Sequence, residues 1–136
     1  MTEAARLRPP SADDIVAIGE AILRNLPAPF RDLLGHLPIR VQDWPDDGTL
    51  DALEIEDPLD LTGLYAGVPV GQRDSLSVPP ESEMIFLFRQ PILFEWCERG
   101  CALEEVVFDV LTHEVGHHFG MDEDAVLRME GRDQEP

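Results

Sequence analysis

The chain has 136 residues, of which 43% are hydrophobic and 28% are charged, so it is expected to fold as one small domain. Its 28 Asp and Glu residues outnumber 10 Lys and Arg residues, and a formal charge of -18 disfavours binding to nucleic acid or to anionic membranes. No apolar run approaches the roughly 18 residues of a membrane span, and the first residues lack the apolar core of a signal peptide. We therefore expect a soluble, cytoplasmic protein.

Several segments have the sequence patterns of helices. Ser11 followed by Asp14 forms a capping box, which predicts an amphipathic helix that Pro27 ends. The other predicted helical segments are a turn or helix in 27–38, a helical turn around 50–55, a short helix from Pro91 to Trp96, a long helix from about Cys101 to Phe119 closed by Gly120, and a last helix from Asp122 to Met129.

Three segments have the sequence patterns of strands. They are 39–44, which alternates apolar and polar residues, 61–70, which runs into a turn, and 84–89, which follows a proline-rich loop. Helices combined with a small sheet of about three strands predict an α+β fold. The strand at 84–89 could offer its edge to a substrate peptide, but a core strand followed by an exposed Arg89 is the favoured interpretation.

The cysteines provide too few thiols for a disulfide framework. Cys97 and Cys101 are the only two, and a metal site built from cysteine would normally have a second pair. We predict that both thiols are reduced.

The sequence HEVGH carries the strongest chemical signal in the chain. On a helix, His113 and His117 lie about 40° apart, so both imidazoles can reach one metal ion while Glu114 holds a water molecule beside it. The same helix face carries apolar residues, which predicts that the pair points inward or into a cleft. Two histidines and a glutamate are costly to bury unless a metal ion satisfies them, although a degenerate or structural site is the alternative.

A zinc hydrolase needs a third protein ligand, and the acidic residues after Gly120 are the candidates. A left-handed turn at Gly120 would bring them back toward the histidines, and the spacing of HExxHxxGxxH enzymes selects Glu123. Asp122 and Asp124 are the other choices. The same residues would also suit the N-terminus of the last helix, where carboxylates are favoured.

The segment THEVGHHFGMDED, preceded by LTGLYAGVPV and MIFLFRQPI, resembles the minimal zincin-like metallopeptidases of bacteria. The resemblance runs from about Val41 to Met129, and the three elements occur in the family's order. This chain differs by having Glu123 where the family usually has Asp, Gln90 where it commonly has Gly, and an N-terminal extension. The resemblance implies a zincin-like α+β fold and a metallopeptidase activity, with no particular substrate.

These observations together predict one domain at 13–130, a flexible extension at 1–12 and a polar tail at 131–136. We expect one zinc ion per chain, held by His113, His117 and Glu123, with Glu114 as the general base that activates water to hydrolyse a peptide or protein. The alternative is a binding module with the same fold, a structural or vestigial metal site and no proteolytic activity.

Overall fold

The computed structural model describes residues 8–34, 36–66 and 83–132, apart from the side chains of His118 and Phe119. The described residues form an α+β domain with a small mixed sheet and several helices, as the sequence predicts. In chain order the elements are α1 (Ala12–Arg24), α2 (Ala28–Leu34), β1 (Ile39–Gln42), α3 (Asp47–Ala52), a 3-10 turn (Pro58–Asp60), β2 (Gly63–Ala66), β3 (Met84–Phe88), α4 (Arg89–Arg99), α5 (Leu103–Phe119) and α6 (Glu123–Glu130).

Strand β3 lies in the centre of the three-stranded sheet. It pairs in parallel with β1, placing Ile39 opposite Ile85, and antiparallel with β2, placing Gly63 opposite Leu87. Both edges of β3 are therefore occupied, so the hypothesis that this strand offers an edge to a substrate is wrong and the core-strand interpretation is confirmed. The outer strands of the described sheet are β1 and β2.

Arg89 lies where β3 passes directly into α4. Its side chain is 16% exposed, because Nε donates a hydrogen bond to the carbonyl of Pro10 at 2.7 Å and Nη1 contacts the Asp43 carboxylate at 3.2 Å. The prediction of an exposed arginine is thus wrong. The guanidinium instead ties the segment before α1 to the end of β1.

The boundaries of several elements differ from the predicted ones. Strand β1 ends at Gln42, and the carbonyl of the next residue, Asp43, accepts a hydrogen bond from Gln90 in α4. Helix α4 begins before Pro91, which is tolerated in a first turn because its missing N–H has no partner there, and it continues to Arg99. Residues 67–70 of the second predicted strand lie outside the described residues.

The main core forms where α1 and α5 pack on the sheet. The predicted capping box of α1 is confirmed, since Ser11 Oγ accepts from the Asp14 amide at 3.1 Å and the Asp14 carboxylate accepts from the Ser11 amide at 2.8 Å. The fully buried side chains of this core include Ile15, Leu23, Ile85, Leu87, Val106, Val107, Leu111 and Val115. The sheet and α1 therefore hold α5 along its first half.

Two simpler predictions can also be compared with the structure. Cys97 and Cys101 are free thiols, as predicted. Within the described ranges, no helix combines the length and the apolar character needed to span a membrane.

Candidate metal centre

Helix α5 brings together three side chains that could hold a metal ion. His113, Glu114 and His117 each offer one donor atom, and these atoms all lie within 4.8 Å of one another. The two imidazole rings have centroids 4.4 Å apart and an interplanar angle of 54°. The helical spacing in HEVGH is therefore converted into a compact group of two nitrogen donors and one carboxylate.

The orientation of this group differs in part from the prediction. Both imidazoles are exposed and Glu114 is half-buried, so the inward orientation is wrong for the histidines. The reason is that α6 packs on the second half of α5, where a Cβ on Gly116 would lie 3.0 Å from Val126 Cγ2. The buried side of α5 rotates toward α6 there, leaving the histidines on the open side.

A small cleft opens beside the group, which agrees with the alternative of a cleft for His113 but not for His117, which is not among the lining residues. Its volume is about 210 Å³. It is lined by Thr62, Glu95, Asp109, Val110, His113 and Glu114. Arg99 binds two acidic residues of this lining. Its guanidinium contacts the Glu95 carboxylate at 3.1 Å and the Asp109 carboxylate at 2.9 Å. The charge of the cleft is thus partly compensated from within the domain.

Glu114 is oriented by the backbone of the neighbouring strand. Its Oε2 accepts a hydrogen bond from the Tyr65 amide in β2 at 3.0 Å. Burial raises the pKa of the Glu114 carboxyl, while the Tyr65 hydrogen bond and the nearby imidazoles of His117 and His113 act in the opposite direction. The carboxylate is therefore held at a defined place between the strand and the two histidines.

The contact from Tyr65 is a functional feature that the sequence does not reveal. A strand tyrosine suggests packing or a hydroxyl group near the cleft, whereas the contact to Glu114 comes from the main-chain amide. Any residue other than proline could supply that amide. The sequence feature that could have indicated this contact is Gly63, because a glycine within a strand often marks a close approach of another element to the backbone.

The chain turns back after α5, as predicted at Gly120. Gly120 has the left-handed φ of 59°, and the Met121 amide donates to the Gly116 carbonyl at 2.9 Å. Helix α6 then begins at Glu123, and Asp122 caps it by accepting from the Ala125 amide at 2.8 Å. The helix-cap interpretation of the acidic run thus holds for Asp122.

The acidic residues after the turn are separate from the donors of α5. Asp122, Glu123 and Asp124 are exposed, and none belongs to the group of donors within 4.8 Å. The structure brings together three predicted site residues, namely His113, Glu114 and His117, and does not bring Glu123 to them. The identity of the third ligand stays a prediction.

A family model described as zincin-like metallopeptidase matches residues 34–132. The chain belongs to the zincin-like metallopeptidase family. The match contains the whole sheet, α5 and α6, and it begins after α1. Comparison with curated proteins gave no match.

The donor set fits the zinc ion that membership of this family implies. Zinc ligands in proteins are commonly imidazole nitrogens and carboxylate oxygens, at about 2.0–2.2 Å from the ion. Two donors on one ion are at most about 4.4 Å apart, and the imidazole nitrogens of His113 and His117 lie within 4.8 Å of each other, close to that limit. His113 and His117 offer two of the three protein ligands that an open catalytic zinc site needs.

Proposed function

We propose that the chain is a zinc-dependent peptidase that hydrolyses peptide bonds with Glu114 as the general base. The position of Glu114 carries this proposal. Its carboxylate lies within 4.8 Å of the donor nitrogens of both imidazoles, and the Tyr65 amide holds its Oε2 at 3.0 Å. A purely structural ion needs no carboxylate in that place, whereas hydrolysis needs a positioned proton acceptor.

In this proposal the residues of the site have separate roles. His113 and His117 hold the ion through their imidazole nitrogens, and Glu123 supplies the third ligand, with Asp122 and Asp124 as alternatives. When bound, zinc supplies Lewis acidity, which polarises a peptide carbonyl and lowers the pKa of water. The protein is proposed to hold one zinc ion per chain and to act in the cytoplasm on a peptide or protein substrate.

The proton path uses the two oxygens of Glu114 differently. Because Oε2 is bound to the Tyr65 amide, we assign proton acceptance to Oε1. Oε1 takes one proton from the water that attacks the carbonyl carbon, and the same oxygen then gives that proton to the amine nitrogen as the peptide bond breaks. The products are one carboxylic acid and one amine, and Glu114 returns to its ionised form.

The test is Glu114→Gln in the zinc-loaded full chain, with Glu105→Gln, an exposed position on the same helix, as the control. The Glu114 variant should keep one zinc per chain and lose peptide hydrolysis by about a hundredfold to ten-thousandfold, because only the proton acceptor is removed. The control should match the wild type in both measurements.

The substrate screen should contain cationic and apolar peptides, with chelated and re-zincated protein as paired samples. Cleavage that persists undiminished in Glu114→Gln would indicate another base or a contaminating protease. A wild type that cleaves no peptide, together with a Gln variant that binds protein partners equally well, would replace this proposal by the binding-module alternative.

A further inference from the structure

Strand β2 approaches α5 at a glycine. A Cβ built on Gly63 would lie 2.6 Å from Val110 Cγ1, 3.2 Å from the Phe86 carbonyl oxygen and 3.4 Å from Leu87 Cδ2. A carbon atom does not fit at 2.6 Å from another carbon, since non-bonded carbons prefer about 3.5–4.0 Å. The strand can run this close to the helix because residue 63 has no side chain.

The hydrogen bond to Glu114 forms one step further along the same two elements. Gly63 and Tyr65 are two residues apart on β2, and Val110 and Glu114 are four residues apart on α5. Two residues of strand cover about 6.6 Å and four residues of helix cover about 6 Å, so the two steps match in length. The Gly63–Val110 contact and the Tyr65–Glu114 hydrogen bond are therefore successive contacts between one strand and one helix.

We propose that Gly63 is a positioning residue for Glu114. By allowing the close approach at Val110, it sets the distance at which the Tyr65 amide meets Oε2 of the carboxylate. The bond is 3.0 Å long, and N–H···O bonds weaken beyond about 3.2 Å, so a displacement of the strand by about half an ångström removes it. The carboxylate then loses the contact that fixes its orientation toward the cleft.

This inference deepens the proposed function and rests on it, because the consequence for activity requires Glu114 to be the base. A small misplacement of a reacting group can reduce the rate by about a hundredfold, even when the group itself is unchanged. The contribution of Gly63 is thus expected in kcat, whereas KM and zinc content should stay close to those of the wild type.

The experiment compares Gly63→Ala, Val110→Ala and the double variant as zinc-loaded full chains. Gly63→Ala should lower kcat by about tenfold to a hundredfold. Val110→Ala supplies the baseline for the double variant, because it removes the same methyl groups while residue 63 stays glycine. The double variant should recover most of the lost kcat, because removing the methyl groups of Val110 makes room for the new Cβ, leaving the milder 3.2 Å contact with the Phe86 carbonyl.

A second readout follows the Tyr65 amide proton by NMR hydrogen exchange and does not depend on activity. Its exchange should become faster in Gly63→Ala and slow again in the double variant, because the hydrogen bond is lost and then restored. If Gly63→Ala does not fold, the double variant compared with Val110→Ala tests the same recovery.

The outcomes separate this inference from the proposed function. Equal exchange of the Tyr65 amide in Gly63→Ala and the wild type would overturn the inference, as would kcat losses that multiply in the double variant with no recovery. A wild type without peptidase activity would instead refute the proposed function, and the exchange measurement would still decide whether Gly63 positions Glu114.

Discussion

The donors on α5 and the acidic residues after Gly120 belong to the same predicted metal site, but they depend on the sequence in different ways. On the helix, regular geometry turns the spacing of His113, Glu114 and His117 directly into a group within 4.8 Å. After Gly120, the position of Glu123 depends on a turn and on how α6 packs. Residue spacing therefore determines which side chains lie together within a helix. Beyond the end of the helix it only suggests which side chains lie together.

The two regions also differ in what else their side chains do. The carboxylate of Asp122 already caps α6 by accepting from the Ala125 amide. A carboxylate that caps a helix has one oxygen committed to the backbone, which competes with metal ligation. Glu123 has no such task in the described hydrogen bonds, and this favours it over Asp122 as the third ligand.

The largest expected effect comes from the donors on α5. His113→Ala and His117→Ala should each reduce zinc affinity by more than about a hundredfold, because even partners outside the coordination shell contribute about tenfold to a hundredfold. Metal content per chain after purification without added zinc or a histidine tag measures this. His36→Ala is the control, since His36 is exposed and remote from the site in sequence. Full zinc content in both α5 variants would refute the site.

A smaller effect is expected from the region beyond the turn. Glu123→Ala should weaken zinc binding by at least about tenfold and by more than Asp122→Ala or Asp124→Ala. Glu123→Asp keeps a carboxylate and should lie between the alanine variant and the wild type. Competition with a chelator of known zinc affinity measures all four. A larger loss in Asp122→Ala or Asp124→Ala would show that this residue, and not Glu123, is the third ligand.

The packing of α6 on α5 gives a further test of the comparison. Thr112 is 2% exposed, and its hydroxyl donates a hydrogen bond to the Glu130 carboxylate of α6. Thr112→Val should lower the free energy of unfolding by about 1–3 kcal/mol, because Oε2 of the largely buried Glu130 carboxylate loses this donor and only the Arg132 contact at Oε1 stays. Chemical denaturation measures the change, and Thr112→Ser is the control that keeps the hydroxyl.

The same variant connects stability with metal binding. If α6 contributes a ligand, Thr112→Val should also weaken zinc binding, since it loosens the helix that carries Glu123. Unchanged zinc affinity in a destabilised Thr112→Val protein would indicate that α6 contributes no zinc ligand.

The smallest expected effect comes from the turn itself. Gly120 and Gly100 both have a left-handed φ, 59° and 63°, and a Cβ on either would meet nothing within 4 Å. Alanine at each should therefore cost about 1 kcal/mol of backbone strain, seen as a similar decrease in Tm. Only Gly120→Ala should also lower zinc affinity, because it alone disturbs the path toward Glu123. Equal zinc affinities in the two variants would show that the turn at Gly120 does not contribute to zinc binding.

Local features of the fold could be predicted from the sequence. The capping box at Ser11, the end of α5 at Gly120 and the donors of HEVGH all depend on residues within one or two helical turns of each other. The resemblance through this motif also led to the family that the comparison shows. These predictions succeeded because short-range geometry determines them.

Features that depend on distant parts of the chain could not be predicted in the same way. The Tyr65 amide meets Glu114 across two elements, and Arg89 binds the carbonyl of Pro10. The exposure of His113 and His117 depends on where α6 packs against the second half of α5. Each of these contacts results from tertiary packing, which no local pattern encodes.

The parallel pairing of β1 with β3 has a consequence for synthesis on the ribosome. Residue 39 pairs with residue 85, and among the described strands β2 pairs only with β3. A nascent chain that has emerged only as far as residue 83 thus contains both outer strands without the strand that joins them. Contacts between residues so distant in sequence form slowly, and unpaired strands can meet other chains. The sheet of this protein can therefore form only after more than half of the chain has been translated and released from the exit tunnel.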